Sequence, residues 1–261
     1  MSKKIFFFDI DGTILQEQSM SKRVFDALNN IRKNGDYCFI ASGRPPTFIP
    51  DIIKEVGFDG YILANGAYVE FNGNIINEEI LDYNMLDELL KFLRETKNDY
   101  ILQTKDACYL NKKYLNLYNF FKRIGLKVDE FIYEFDEKEI MKKTIKVEVW
   151  PNDYEAGEII KEHLIEFSWN QYEFSNMELY SNKVSKASGI EKVIQILNIK
   201  KEDTYAFGDG RNDLEMFEIV EHSYAMGNAS EEVKAKAKYV CPSIKDEGVA
   251  IVLEKILEDQ N

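Results

Sequence analysis

Strand-like and helix-like stretches alternate at both ends of this chain, and that alternation restricts the fold more than any other feature. It begins with KKIFFFDIDGTIL, where four large apolar residues, Ile5 to Phe8, run straight into Asp9. A short apolar run of this kind reads as a buried strand. SKRVFDALNNIRKNG then offers Ser21 as an N-cap, apolar residues at helical spacing, and Gly35 as a stop. YCFIASGR, a helical PTFIPDIIKEVG and GYILANGA follow. Strand, helix, strand, helix, strand is the pattern of βαβ units around a parallel sheet. The last third resumes it. SKASGIEKVIQILNI reads as a helix, TYAFGDG as a strand and NDLEMFEIV as a helix. HSYAMGN and KYVCPS read as strands flanking the helical SEEVKAKA, and GVAIVLEKIL as a terminal helix.

Between these thirds the texture changes. YVEFNGNIINEEI is a hairpin signal, with Asn72-Gly73 between strand-like runs. From Tyr83 to Asn182 the chain is rich in aromatic and charged residues and poor in glycine. Helix-like runs (MLDELLKFLRET, YLNLYNFFKRIG, DYEAGEIIKEHLIEF) alternate there with strand-like ones (YILQT, TIKVEVW, QYEFSNMELY). The expected architecture is an α/β domain built from residues 1–82 and 183–261, with an α+β domain, residues 83–182, inserted in it. Tyr114, Tyr118, Phe120 and Phe121 recur at helical spacing and read as core of the insert. Its acidic and basic runs read as solvated faces. His163 and His222 match no motif and read as structural or exposed.

A formal net charge of -13 disfavours nucleic acid and anionic membranes as partners, since both would be repelled. A small anionic substrate stays open, because a few local cations outweigh a distant field. Cys38, Cys108 and Cys241 are odd in number and widely separated, which suits a reducing compartment. The apolar run near the N-terminus is too short for a signal peptide or a membrane span, and no later segment reaches that length. The expectation is a cytoplasmic protein, monomeric or a weak homodimer.

In the outer thirds nearly every strand ends in a small polar group. Asp9 and Asp11 end the first, Ser42-Gly43-Arg44 the second, Asn65-Gly66 the third, and Asp209-Gly210-Arg211-Asn212-Asp213 the fourth. In an extended segment residues two apart point to the same side, so Asp9 and Asp11 are expected to face one point. Open α/β sheets bind ligands outside the carboxyl ends of their strands, which would gather these groups in one crevice. Hard carboxylate oxygens with no His or Cys beside them suit Mg²⁺. Gly-rich turns and helix N-termini favour phosphate. A carboxylate is a competent nucleophile toward phosphorus, and a second one could protonate the leaving alcohol. This set asks for metal-assisted phosphoryl transfer.

DIDGT at Asp9, SGR at Ser42, a lysine at Lys186 and GDGRND at Asp209 resemble, in order, the four motifs of the haloacid dehalogenase superfamily. The insertion between the second and third motifs is similar to the cap of the Cof-type subfamily (type IIB), as are ANGA at Asn65 and AMGNA at Met226. The resemblance implies a Rossmann-like core with an inserted cap, and Asp9 as nucleophile and metal ligand. Asp11 would be the general acid/base and bind Mg²⁺ through its carbonyl, with Asp209 and Asp213 as the other ligands. Ile10, Ser42, Gly43, Arg44, Lys186 and Asn212 would contact phosphate, with Ser42 and Lys186 counted among the catalytic groups. The third motif departs from the subfamily's Gly-Val-Ser-Lys-Gly, reading Lys183-Val184-Ser185-Lys186-Ala187.

The activity so implied is a Mg²⁺-dependent phosphatase of small phosphorylated metabolites, sugar phosphates first among them, working through an aspartyl-phosphate. A phosphomannomutase-like phosphotransferase is the alternative, and product analysis separates the two. A non-catalytic sensor would be marked by loss of Asp9 or Asp11, and both are present. No G-x-G-x-x-G follows the first strand, which argues against a dinucleotide oxidoreductase.

Overall fold

The protein is described by a computed structural model covering residues 3–162, 164, 167–172 and 176–259. His163 and the 173–175 stretch of QYEFSNMELY lie outside the described residues. The chain forms two compact units, one of residues 1–43, 49–77 and 185–261, the other of Arg44–Phe48 and Glu78–Val184.

The first unit is built on an eight-stranded sheet. Its strands run in the order Tyr239–Val240, His222–Ala225, Thr204–Gly208, Ile5–Phe8, Tyr37–Ala41, Gly60–Leu63, Tyr68–Phe71 and Asn74–Glu78. Pairing is parallel from the first through the sixth, and antiparallel between the sixth and the seventh. The hairpin joining the last two turns through Asn72 (φ 49°) and Gly73 (φ 77°), the left-handed backbone a two-residue turn requires. Connections leave the Ile5–Phe8 strand in opposite directions, and right-handed crossovers then put helices on both faces. On one face Ile190, Val193, Met216 and Phe217 pack on Ile5, Phe7, Phe39, Ala41 and Ile62. The alternate residues Phe6 and Phe8 point the other way. They stack on Tyr205 and Phe207 with ring centroids 4.6 Å and 5.2 Å apart.

Helices start and stop where the chain predicts. Lys22–Lys33 is capped by the Ser21 side chain, which accepts from Val24 N, and Gly35 follows with φ 92°. Lys186–Leu197 begins with a capping box in which Ser185 and Ser188 satisfy each other's amides. PTFIPDIIKEVG departs from the expected single helix. It divides into a short Pro46–Phe48 turn and an Asp51–Val56 helix, because Pro50 has no N–H to donate and pushes Ile49 out of helical geometry.

The second unit carries a five-stranded antiparallel sheet in the order Cys108–Leu110, Asp99–Gln103, Lys146–Trp150, Asn176–Ser181, Phe167–Tyr172. Helices Tyr83–Glu95 and Leu115–Arg123 contribute Leu86, Leu90, Leu93, Leu117 and Phe121 to a core shared with Val147, Val149, Met177 and Leu179. Tyr114 is in that core, with Tyr118 and Phe120 packed against it. Among the described residues no helix is long and apolar enough to cross a membrane.

Candidate active site

Register brings distant residues to one edge of the first unit. Phe8 lies opposite both Phe207 and Ile40, so Asp9, Asp209 and Ser42 leave the sheet close together. The amide of Asp9 donates to the Phe207 carbonyl at 2.9 Å, and that of Ser42 to the Ile62 carbonyl at 2.8 Å. Strand order reverses at Ile5–Phe8, the position where doubly wound sheets open a crevice.

One carboxylate oxygen from each of Asp9, Asp209 and Asp213 lies within 4.8 Å of the others. The Lys186 ammonium joins them, with Nζ 2.6 Å from both Asp9 Oδ1 and Asp213 Oδ1. Lys186 is the first residue of its helix and is buried, as are Asp9 and Asp213. The second oxygen of Asp213 accepts the backbone amides of Asp209 and Gly210, each at 2.9 Å, which ties the GDGRND loop around it. Thr13 Oγ1 donates to Asp209 Oδ1 at 3.1 Å. Asn228 Nδ2 holds the Gly12 carbonyl at 2.9 Å, and its Oδ1 accepts from Ile244 N at 2.9 Å. Gly12 has φ +78°, and a Cβ there would stand 2.2 Å from Asp209 Oδ2. Glycine is needed on both counts.

Burial pushes the Asp9 carboxyl well above the ordinary aspartate range; Lys186 opposes the rise, and Asp213, Asp209 and Asp11 add to it. Asp209 is raised to about 6, chiefly by burial and then by Asp213, with Thr13 and Lys186 pulling it down. Burial disfavours the Lys186 charge, yet Asp213 and Asp9 more than offset this and keep its proton bound above the usual lysine range. Three carboxylates around one ammonium leave excess negative charge out of water, and a cation would relieve it. The donor set is all oxygen, without histidine or cysteine, and fits Mg²⁺.

The expectation for Asp11 changes. The strand ends at Phe8, and the chain turns so that Ile10 is buried, its carbonyl accepting from Ile14 N and Leu15 N, while Asp11 is exposed. Asp11 is therefore outside the carboxylate cluster, although its charge is felt by Asp9 and Asp209. Ser42 and Gly43 are buried, and the Ser42 carbonyl accepts from Asn65 N at 3.1 Å. Asn65 is itself buried in a left-handed turn (φ 53°). Asn212 is half-buried within the GDGRND loop. Arg44 belongs to the second unit, and its guanidinium donates to the Phe48 carbonyl at 2.9 Å. Sequence reasoning did not single out Thr13, Gly12 or Asn228, although the first two lie in DIDGT and the third in AMGNA.

Residues 6–253 match the model of the haloacid dehalogenase-like hydrolases. The Bacillus subtilis (strain 168) protein YkrA is 31% identical over 261 residues, covering 98% of each chain. YbjI of Escherichia coli (strain K12), a 5-amino-6-(5-phospho-D-ribitylamino)uracil phosphatase, is 27% identical over 100% of this chain and 98% of its own. Among solved structures, the subclass IIB sugar phosphatase BT4131 superposes with a TM-score of 0.85 at 24% identity, over 97% of this chain and 99% of that one. That likeness shows a shared fold.

Proposed function

The chain belongs to the haloacid dehalogenase-like hydrolases, and from that premise we propose that it is a Mg²⁺-dependent phosphatase of small phosphorylated metabolites. The observation that carries this reading is the cluster of Asp9, Asp209 and Asp213 at the carboxyl ends of the sheet, with Lys186 bridging the buried Asp9 and Asp213. Asp9, Asp209 and Asp213 would hold the cation, with the Asp11 carbonyl. When bound, Mg²⁺ supplies positive charge beside the nucleophile and the phosphoryl oxygens.

Asp9 attacks phosphorus while the bond to the alcohol oxygen breaks, giving an aspartyl-phosphate. Asp11 donates the proton that the departing alkoxide needs. In the second step Asp11 takes a proton from water, the water oxygen attacks phosphorus, and the Asp9–phosphorus bond breaks to release phosphate. The Ile10 and Gly43 amides and the Ser42 hydroxyl hold the equatorial oxygens, and Lys186 offsets the negative charge they carry. Asn212 completes the phosphate contacts. Arg44 lies in the second unit, to which we assign selection of the leaving group. Phosphorylated sugars and polyols are the substrates this reading favours, and the ribitylamino compound handled by YbjI has the same small, hydroxylated character.

The test is phosphate release from a panel of sugar phosphates, nucleotides and phosphorylated cofactors, with Mg²⁺ or with EDTA. Release that needs Mg²⁺ and disappears in Asp9→Asn is the expected outcome. Isomerised sugar phosphate with little free phosphate would point to a mutase. No turnover of any compound by folded, Mg²⁺-binding protein would refute the phosphatase reading.

A further inference from the structure

The hairpin that leads out of the Gly60–Leu63 strand turns in an unusual way. Leu63 and Tyr68 face each other across the pair, so Ala64, Asn65, Gly66 and Ala67 make the connection. Three successive residues of it are left-handed, with φ 48° at Ala64, 53° at Asn65 and 94° at Gly66. Such backbone suits glycine and is tolerated by asparagine, but it strains an alanine. Nothing in a hairpin as such demands that strain, since the next one turns through Asn72 and Gly73. Strained backbone persists where its surroundings hold it, and it gathers at functional sites.

Contacts on two sides hold this turn, and all of them lie within the first unit. The Asn65 amide donates to the Ser42 carbonyl at 3.1 Å, while the Ser42 amide donates to the Ile62 carbonyl at 2.8 Å. On the other side Gly66 lies against the peptide of Ser185, the residue that caps the Lys186–Leu197 helix. A Cβ on Gly66 would stand 2.1 Å from the Ser185 carbonyl oxygen and 3.3 Å from its nitrogen. One turn along that helix the crossing is tight again: a Cβ on Gly189 would lie 2.5 Å from Ile62 Cγ2 and 3.6 Å from the Gly66 Cα. Glycine on each side lets the helix start directly on the hairpin tip. Lys186 follows Ser185, and its Nζ is 2.6 Å from both Asp9 Oδ1 and Asp213 Oδ1. In a close-packed interior a buried side chain has no room to swing and absorb a shift of its own backbone. Displacing Ser185 therefore displaces the ammonium.

We propose that Gly66 is a positioning residue: by its contact with the Ser185 peptide it sets the depth at which Lys186 enters the space between Asp9 and Asp213. The proposal rests on the phosphatase reading, which gives Lys186 the charge of a phosphoryl group to offset, and it deepens that reading by naming what aims the lysine. The same turn holds the Ser42 carbonyl through Asn65, so one strained hairpin tip spaces the two side chains assigned to the phosphoryl oxygens.

The experiment uses the full chain with Mg²⁺ and the compound it hydrolyses fastest in the phosphate-release panel. It compares kcat and KM for wild type, Gly66→Ala, Gly189→Ala, Lys186→Met and the double variant Gly66→Ala/Lys186→Met. Misplacing the ammonium by about 1 Å should lower kcat of Gly66→Ala by about ten- to a hundredfold, with KM moved by less than about threefold. In the Lys186→Met background the same change should cost less than about threefold, since no ammonium is left to misplace. Melting temperatures in EDTA make a second cycle that needs no turnover. There Gly66→Ala should lower the melting temperature less in Lys186→Met than in wild type, because the backbone strain it adds is common to both. Gly189→Ala keeps the left-handed turn intact. It should lose kcat in the same sense by a smaller factor, and it decides the matter if Gly66→Ala does not fold. An unchanged kcat in the folded variants, a loss confined to KM, or equal losses with and without Lys186 would overturn the assignment while leaving the phosphatase reading intact. No phosphate release by wild type from any compound would overturn that reading and the assignment with it.

Discussion

Replacing Asp209 with asparagine should make the metal-free protein more stable while removing its response to Mg²⁺. Burial, with Asp213 beside it, raises the Asp209 proton affinity from an ordinary 3.8 to about 6. The folded chain therefore binds this proton more tightly than the unfolded chain does. Stability is undiminished below about pH 4, declines as pH rises toward 6, and carries the full deficit above that. A difference of about two pH units corresponds to about 3 kcal/mol. Asparagine has no charge to desolvate and keeps an oxygen for Thr13 Oγ1. In EDTA at pH 7.5 the variant should melt roughly 6–12 °C above wild type, and at pH 4 the advantage should vanish. With Mg²⁺ added at pH 7.5, wild type should rise and the variant should not. Calorimetric melts across this pH range, with and without the metal, make the measurement. A variant that melts at or below wild type in EDTA at pH 7.5, or whose advantage persists at pH 4, would refute the reasoning.

Other substitutions test neighbouring parts of the argument. Lys186→Met leaves Asp9 and Asp213 without the ammonium they share. It should cost about 3–5 kcal/mol near neutral pH, recover as the pH falls and the carboxylates protonate, and lower phosphate release by about a hundredfold or more; melts at two pH values and the release assay check it. Gly12→Ala puts a methyl group 2.2 Å from Asp209 Oδ2 on a left-handed backbone, and should lose at least ~1 kcal/mol together with most of the Mg²⁺-induced rise in melting temperature. Cys38, Cys108 and Cys241 are buried and free, and burial pushes their thiols up, to about 12 for Cys108 and Cys241. At pH 8 a thiol-reactive disulfide reagent should label all three in guanidinium and none rapidly in the native protein. Fast native labelling would show that a cysteine is reached without unfolding.

Much of this was legible in the sequence, for identifiable reasons. The Ile5–Phe8 run, the Ser21 cap and the Asn72-Gly73 turn each follow from local chemistry, and local chemistry decides them in the fold. Strand ends could be read as one site because a parallel sheet puts successive carboxyl ends on one edge. What local patterns leave open is where a regular element stops. Alternation paired Asp9 with Asp11 only by assuming that the strand continues past Phe8. Pro50 was visible, yet the helical period on either side of it concealed the break. Thr13 and Asn228 act through contacts 196 and 216 residues away in sequence, a separation that no window of neighbouring residues spans.

The charged residues of TIKVEVW show the same limit in a more instructive form. Period-two alternation correctly separates Lys146 and Glu148 from Val147 and Val149, but it reports a side and not what covers that side. Reading the charged side as solvated is therefore a second assumption, and burial of both residues removes it. Each unit holds a buried lysine paired with two carboxylates. In the first unit Asp9 follows the Ile5–Phe8 strand while Asp209 and Asp213 share the GDGRND loop, and their oxygens are close enough to share a cation. In the second unit Glu148 and Glu178 are fixed on paired strands, and Glu148 is already engaged by Lys146, Gln103 and Asn176. One oxygen from each of three carboxylates thus lies within reach of a shared ion in the first unit, whereas the second unit pairs its carboxylates with Lys146 on the face of a sheet.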